Sequence, residues 1–398
     1  MNILEIVLFT IGGIYVLFNI ILTAGVAAGS KSVKSENGKN KPSEPNVSVI
    51  VPARNEEQNI KRCLDSLEAL DYPEDKLEIV IIDDNSDDNT ASIVQNYCDR
   101  IKHFSLLSLN GSSESGSAKS TGAGTNNTGA GTKNTGAGGK IAALKYGYKE
   151  TSGDIILQTD ADCAVPSGWI KTITSNMDKE VGIVGGAIML DEYSKRNSWI
   201  TRILSLDWLY LLGVGAGANG AGFPLSCFGN NLAVRRTAYE DAGGYDAIPF
   251  TFTEDFALFK SITRAGWRSS FSLKNTSVIL SRPPDTFRDF INQRLRWATG
   301  GIKLAGPGII LLIAAFLLHL LVIAAVAFNI SLSVLVTVII VTGFSDFIFL
   351  ATLTNKVNKS KLLLYFPLFE VYFFLSTTLF GLALPFVSSL KWKDRKYR

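Results

Sequence analysis

The chain is poor in histidine: only His103 and His319 occur in 398 residues, and His319 lies in an apolar run. That count disfavours a Ser-His-Asp or Cys-His catalytic pair and a histidine-built zinc centre. Cysteine is scarce as well. Cys63, Cys98, Cys163 and Cys227 form no Cys-x-x-Cys pair. This excludes a disulfide scaffold and reads as four free thiols in a reducing compartment. Charged residues make up 19% of the chain, against ~25% in a typical soluble domain. A net charge of +3 gives no sign of a basic surface for nucleic acid. With 46% hydrophobic residues, the chain is too apolar to be disordered.

The missing charge is a local property. Residues 1–30 carry only Glu5, 302–355 only Lys303 and Asp346, and 362–390 only Glu370. The block 31–301 holds 30 basic and 32 acidic residues, an ordinary soluble composition. The apolar run from Ile6 to Gly29 is long enough to cross a bilayer of ~30 Å. It lacks the basic start of a signal peptide and exceeds a usual signal core, so it reads as a retained helix. Further spans are expected at 305–328 and 332–353, with a third segment at 362–387 that carries Glu370 and is interrupted by Pro367 and Pro385. Lys31, Lys34, Lys39 and Lys41 follow the first span, and Lys356, Lys359 and Lys361 follow the hairpin. Both clusters put the central block in the cytoplasm. The basic tail from Lys391 to Arg398 conflicts with a full crossing by 362–387, so that segment is either re-entrant or an exception to the rule.

The central block alternates short β-branched runs with amphipathic stretches. Val47–Val51, Leu77–Ile82, Asp154–Thr159 and Val181–Leu190, the last with a break at Gly185-Gly186, read as strands. Glu57–Leu70 and Ala91–Tyr97 read as helices. This order predicts an α/β fold with a mainly parallel sheet, whose ligands bind at the carboxyl ends of the strands. Residues 120–140 interrupt it with three tandem heptads of the type Asn127-Thr-Gly-Ala-Gly-Thr-Lys133. They lack the apolar positions of a coiled coil and the spacing of a phosphate loop. A flexible insertion is the expected reading.

Several motifs sit where that sheet places its site. Val47-Ser-Val-Ile-Val-Pro-Ala-Arg-Asn-Glu56 runs from the first strand into a polar turn, and Asp83-Asp84-Asn85-Ser86-Asp87-Asp88-Asn89 follows the second. Asp160-Ala161-Asp162 follows another strand, Thr253-Glu254-Asp255 precedes a helical stretch, and Gln293-Arg294-Leu295-Arg296-Trp297 sits on an amphipathic stretch from Asp285 to Thr299. In this order the motifs resemble the family 2 glycosyltransferases, the inverting GT-A enzymes that use nucleotide sugars, in their membrane-embedded Gln-x-x-Arg-Trp branch. The resemblance covers about residues 46–300 and extends to the closing Trp392-Lys-Asp-Arg-Lys-Tyr397.

The resemblance implies a set of roles. Asp160 and Asp162 would hold a divalent cation, Mg²⁺ or Mn²⁺, because a diphosphate meets a carboxylate only through a cation. Pro52, Arg54, Glu56, Asp83, Asp84, Lys140 and Asp160 would form the donor site, with Asp84 as the base-recognising acid; the Asp-rich run is equally good turn chemistry. Lys140 heads the Gly139-Lys140-Ile-Ala-Ala-Leu144 motif, and a solvated loop lysine is the alternative. Asp255 would be the base that deprotonates the acceptor, with Glu254 beside it; an acidic helix N-terminus explains the same residues. Gln293, Arg294, Arg296 and Trp297 would serve acceptor and diphosphate, an interfacial helix being the alternative. Phe228-Gly229-Asn230-Asn231 with Arg235-Arg236 resembles an acceptor-side element. Ser198–Leu212 reads as core or membrane-facing helix rather than a sugar platform.

The expected protein is thus a membrane helix (1–30), a linker (31–45), a GT-A domain (46–300, with the insertion at 110–139), a C-terminal membrane region of two or three spans (301–390) and a basic tail (391–398). Its expected activity is metal-dependent transfer of a hexosyl or N-acetylhexosaminyl group, with inversion, from a UDP-sugar to a lipid or growing glycan. The expected location is the bacterial inner membrane. A processive polysaccharide synthase subunit or a non-catalytic scaffold of the same fold are the competing readings.

Overall fold

A computed structural model of the chain describes residues 2–29, 44–109, 139–191, 198–248, 251, 253–301, 306–387, 390–392 and 395–397. Nearly all of the linker and the repeat insertion lies outside the described residues. The β-branched runs form the central strands: β1 (Val47–Ala53), β2 (Leu77–Asp83), β3 (Phe104–Ser108) and β4 (Ile155–Gln158). The helix α1 (Ile3–Gly29) precedes them, and α2 (Ile60–Glu68), α3 (Thr90–Cys98) and α4 (Lys140–Glu150) lie between them. In α2, Ile60, Cys63, Leu64 and Leu67 form one buried stripe at helical spacing.

The chain continues through α5 (Trp169–Thr174), β5 (Val181–Gly186), β6 (Ile188–Leu190), α6 (Trp199–Gly220), β7 (Leu232–Arg235), α7 (Arg236–Asp241), α8 (Glu254–Arg264), β8 (Arg268–Ser272) and β9 (Ile279–Ser281). Seven strands make one sheet in the order β3-β2-β1-β4-β7-β5-β8. All pairings are parallel except those of β7, which runs antiparallel to both β4 and β5. This mostly parallel α/β sheet matches the expected class. The break read at Gly185-Gly186 divides this stretch into two strands: the chain leaves the main sheet after Gly186, and β6 pairs with β9 instead. A Cβ on Gly186 would lie 2.3 Å from Asn231 Nδ2, so the glycine admits the Asn231 side chain at the break.

After α9 (Phe287–Gly301) come α10 (Pro307–Ala327), α11 (Leu332–Lys356) and α12 (Phe366–Ala383), then a hairpin of β10 (Leu390–Trp392) and β11 (Arg395–Tyr397). Among the described residues, four helical segments are long and apolar enough to cross a membrane: Ile3–Gly29, Pro307–Ala327, Leu332–Lys356 and Ser360–Phe386.

The helix α6 joins the two halves. It is buried along most of its length, packing on α1, α11 and α12 and on the strand β6. Its contact with α1 is backbone on backbone: a Cβ on Gly25 would fall 1.9 Å from the Gly217 carbonyl oxygen. Deeper in the bundle, Asp346 Oδ1 accepts from Tyr15 Oη (2.7 Å), Tyr210 Oη (2.9 Å) and Asn19 Nδ2 (2.8 Å). These bonds satisfy polar groups that an apolar surround leaves no other partner.

Candidate active site

The carboxyl ends of β1, β2 and β4 converge on one cavity of about 990 Å³. Proline at position 52 and the turn after it bring Arg54 and Glu56 to the wall beside Asp84. Arg54 Nη1 donates to the Asp84 carbonyl oxygen at 2.9 Å and lies 3.9 Å from its carboxylate. Glu56 accepts from Asn59 Nδ2 at 2.6 Å. Asp83 does not line the cavity; its carboxylate takes the Ser86 N–H at 3.3 Å. The turn reading and the site reading thus divide between neighbours, Asp83 shaping the loop and Asp84 facing the cavity.

Lys140 begins α4, directly after the unusual φ of +116° at Gly139. Its ammonium lies 2.7 Å from Asp160 Oδ1 and 3.3 Å from Glu254 Oε1. Burial opposes its charge, but Asp160 and Glu254 hold its pKa above the usual lysine range. The solvated-loop alternative for this lysine does not fit that pairing.

Asp160 and Asp162 both line the cavity. They present hard carboxylate oxygens one residue apart, and no group of three or more His, Cys, Asp or Glu residues suited to a metal occurs among the described residues. Two such ligands fit a divalent ion whose remaining positions go to diphosphate oxygens. They do not fit an all-protein metal cage.

Glu254 and Asp255 form the first turn of α8. Asp255 Oδ2 accepts the Gly229 N–H at 2.7 Å, and Oδ1 accepts the Phe256 N–H at 2.8 Å. Burial and the adjacent Glu254 push its carboxyl up to about 6, against the pull of Lys140. Asp255 thus sits at a helix N-terminus and at the cavity at once. Gln158 at the end of β4 orients the loop by donating to the Gly229 carbonyl at 3.0 Å.

On the other wall stands α9. Gln293, Arg294, Arg296 and Trp297 all line the cavity. Trp297 meets Trp208 of α6 edge-on at 4.8 Å and Phe228 at 5.7 Å. Arg294 points to Asp207 of α6 as a buried ion pair rather than standing open as a diphosphate ligand.

The acceptor-side element divides. Phe228 and Gly229 stand at the cavity. Asn231 instead bonds the Ala187 and Ser277 carbonyls at 2.7 and 2.9 Å and accepts from Trp169 Nε1 at 2.9 Å. Arg235 and Arg236 lie at the opposite end of β7, where Arg235 Nε donates to Val181 O (3.1 Å) and Arg236 Nε to Gly153 O (2.8 Å). They tie strands and loops together and do not line the cavity.

Sequence reading did not single out Asp207, Gln158 or Arg282, the last of which lines the cavity and lies 3.8 Å from the Asp285 carboxylate. Asp207 stands alone in an apolar run, and only that isolation marked it. From this polar centre the cavity extends into the apolar helices, reaching Leu312 and Phe316 of α10 and Phe380 of α12.

Comparison with known proteins agrees with this architecture. The profile described as glycosyl transferase family 21 matches residues 126–398, and that of glycosyl transferase family 2 matches residues 48–124. "Probable glycosyltransferase YdaM" of Bacillus subtilis is 27% identical over 64% of this chain and 55% of its own length. "Beta-monoglucosyldiacylglycerol synthase" of Trichormus variabilis is 29% identical over 65% of this chain and 49% of its own. The chain thus spans about half the length of these curated relatives. Among solved structures, mannosyltransferase PcManGT from Pyrobaculum calidifontis, in complex with GDP-Man and Mn²⁺, superposes with a TM-score of 0.52 at 20% identity, covering 93% of this chain and 98% of that one. With a family 21 profile over more than half its length and a family 2 profile over its first three strands and the two helices between them, the chain belongs to the glycosyltransferases, as a family 2-type GT-A fold continued by family 21 sequence.

Proposed function

We propose that the protein is a membrane-bound, inverting glycosyltransferase that moves a hexosyl or N-acetylhexosaminyl group from a UDP-sugar to a lipid acceptor, with its GT-A domain in the cytoplasm. The observation that carries this reading is the single cavity joining Asp84, Lys140, Asp160 and Asp162 at one end to Leu312, Phe316 and Phe380 at the other, with Asp255 between. An enzyme that couples a water-soluble donor to a lipid needs such a two-sided space. The Trichormus relative, whose name is that of a glycolipid synthase, supports the same acceptor class.

Asp84, held by Arg54, is the acceptor for a hydrogen bond from the nucleotide base. Asp160 and Asp162 would hold Mg²⁺ or Mn²⁺ against the diphosphate. When bound, that ion supplies Lewis-acid neutralisation of the leaving group. Lys140 and Arg296 add positive charge to the same diphosphate, and Trp297 offers an apolar face to the incoming sugar. Asp255 takes the proton of the acceptor hydroxyl as its oxygen bonds the anomeric carbon. The bond from that carbon to the diphosphate breaks, with inversion, and UDP departs. The backbone N–H groups of Gly229 and Phe256 orient the Asp255 carboxylate, and a carboxyl raised to about 6 is well matched to a proton transfer near neutrality.

The test uses the full chain in lipid nanodiscs with Mn²⁺, a panel of UDP-sugars and dioleoylglycerol, followed by product mass. One added hexose or N-acetylhexosamine is expected. Asp255→Asn should still bind UDP while transfer falls about 10²- to 10⁴-fold. Transfer retained by Asp255→Asn removes the base assignment, and a ladder of masses replaces single transfer with processive synthesis.

A further inference from the structure

The Asp207–Arg294 pair has no part in the steps above, yet it is among the most enclosed charges in the molecule. Asp207 is 3% exposed and Arg294 is 7% exposed. Arg294 Nη1 meets Asp207 Oδ2. Three rings wall the guanidinium, with Trp297 at 4.8 Å, Phe290 at 5.2 Å and Tyr372 of α12 at 5.9 Å from its carbon to their centroids. Arg294 Nε and Nη2 are buried with no hydrogen-bond partner, so cation–π contact and one carboxylate hold the group in place. If Arg294 moved to a diphosphate, it would strand a buried carboxylate, which is costly. Arg296 differs: it is only partly buried, lines the cavity and makes no ion pair among the described residues.

The pair is also connected to the candidate base by packing. Trp297 abuts Trp208 and Phe228, and Trp208 stacks on Phe228 at 5.7 Å. Phe228 precedes Gly229, whose N–H holds Asp255.

We propose that Asp207 is a positioning residue for glycosyl transfer. By fixing Arg294 inside the ring cage, it sets Gln293 and Trp297 on the cavity wall and leaves Arg296 as the α9 arginine that meets the donor diphosphate. This rests on the nucleotide-sugar reading above.

The experiment titrates the full chain in nanodiscs with UDP, and separately with GDP, in the presence of Mn²⁺. Asp207→Leu/Arg294→Met replaces the pair with apolar side chains and strands no charge, so it should fold. Its nucleotide affinity should stay within about twofold of the parent, while Arg296→Met should lose about tenfold. UDP-sugar turnover in membranes of the expressing cells gives the second readout. Asp207→Asn should lower kcat about tenfold with donor KM within about twofold, and Asp207→Glu should recover much of the rate. The proposal is overturned if the double variant weakens nucleotide as much as Arg296→Met, which makes Arg294 a donor ligand. It is also overturned if Asp207→Asn turns over at the parental rate. A parent that binds neither nucleotide breaks the donor reading, and this proposal with it.

Discussion

Two acid–base constellations face each other across the cavity, and they are built in opposite ways. At the donor end, Lys140 bridges Asp160 and Glu254 at 2.7 and 3.3 Å, with the Asp160 side chain 35% exposed. At the acceptor end, Arg294 and Asp207 are sealed between aromatic rings. The first arrangement is largely covered but lines the cavity, so its contacts can be exchanged for those of a ligand. The second is closed, and its contacts can only be kept or broken. The same chemistry of opposite charges is thus exchangeable on one wall and fixed on the other. Access to the cavity decides which, because a ligand can replace contacts on the lining, whereas burial among rings makes the loss of one partner in the closed pair expensive.

Removing one partner from the sealed pair should have the largest effect on the fold. Asp207→Ala should cost about 3–5 kcal/mol of stability, read as a fall in the melting temperature in detergent. An unchanged melting temperature would erase the contrast between the walls. Next comes the pH profile of turnover. Asp255 accepts a proton only when ionised, and its carboxyl is raised to about 6. The rate should therefore be level above that pH and fall about tenfold per unit below it. A profile level down to about pH 4, the ordinary carboxyl range, would show that a different group sets the limit.

At the donor-end pair, Lys140→Met should weaken UDP binding with Mn²⁺ about tenfold and lower the melting temperature less than Asp207→Ala does. A large loss of stability would show that this pair is structural too. The smallest effect is expected at Asp346→Asn, which reaches the cavity through Tyr15 and Tyr210. It keeps one oxygen for Tyr15, Tyr210 and Asn19, so the cost should be ~1 kcal/mol with turnover retained.

Much of the site was legible because its residues come in short runs at strand ends. Asp160-Ala161-Asp162 needs only the end of β4 to reach the cavity, and Thr253-Glu254-Asp255 only the start of α8. The sheet class was legible from the alternation of β-branched runs and amphipathic helices. The antiparallel β7 was not, since a four-residue apolar strand reads alike in either direction. Arg235 and Arg236 showed the reverse failure: charge adjacent to a site motif suggested a ligand, but the length of β7 carries both to the far end of the sheet. Helix α6 was legible as an apolar run, while its glycine contact with α1 and the pairing of Asp207 were not.

The sequence by itself determined where the membrane helices lie, the class of the sheet and the short motifs that a nucleotide-sugar site requires. These depend on hydropathy, periodicity and neighbours within a few residues. Only the tertiary structure decided which acid meets which base. Asp207 and Arg294 are 87 positions apart in the chain, and Lys140 and Glu254 are more distant still. Such pairings are set by the geometry of packed elements, because a charge takes its partner from whatever the fold brings beside it and not from its neighbours along the chain.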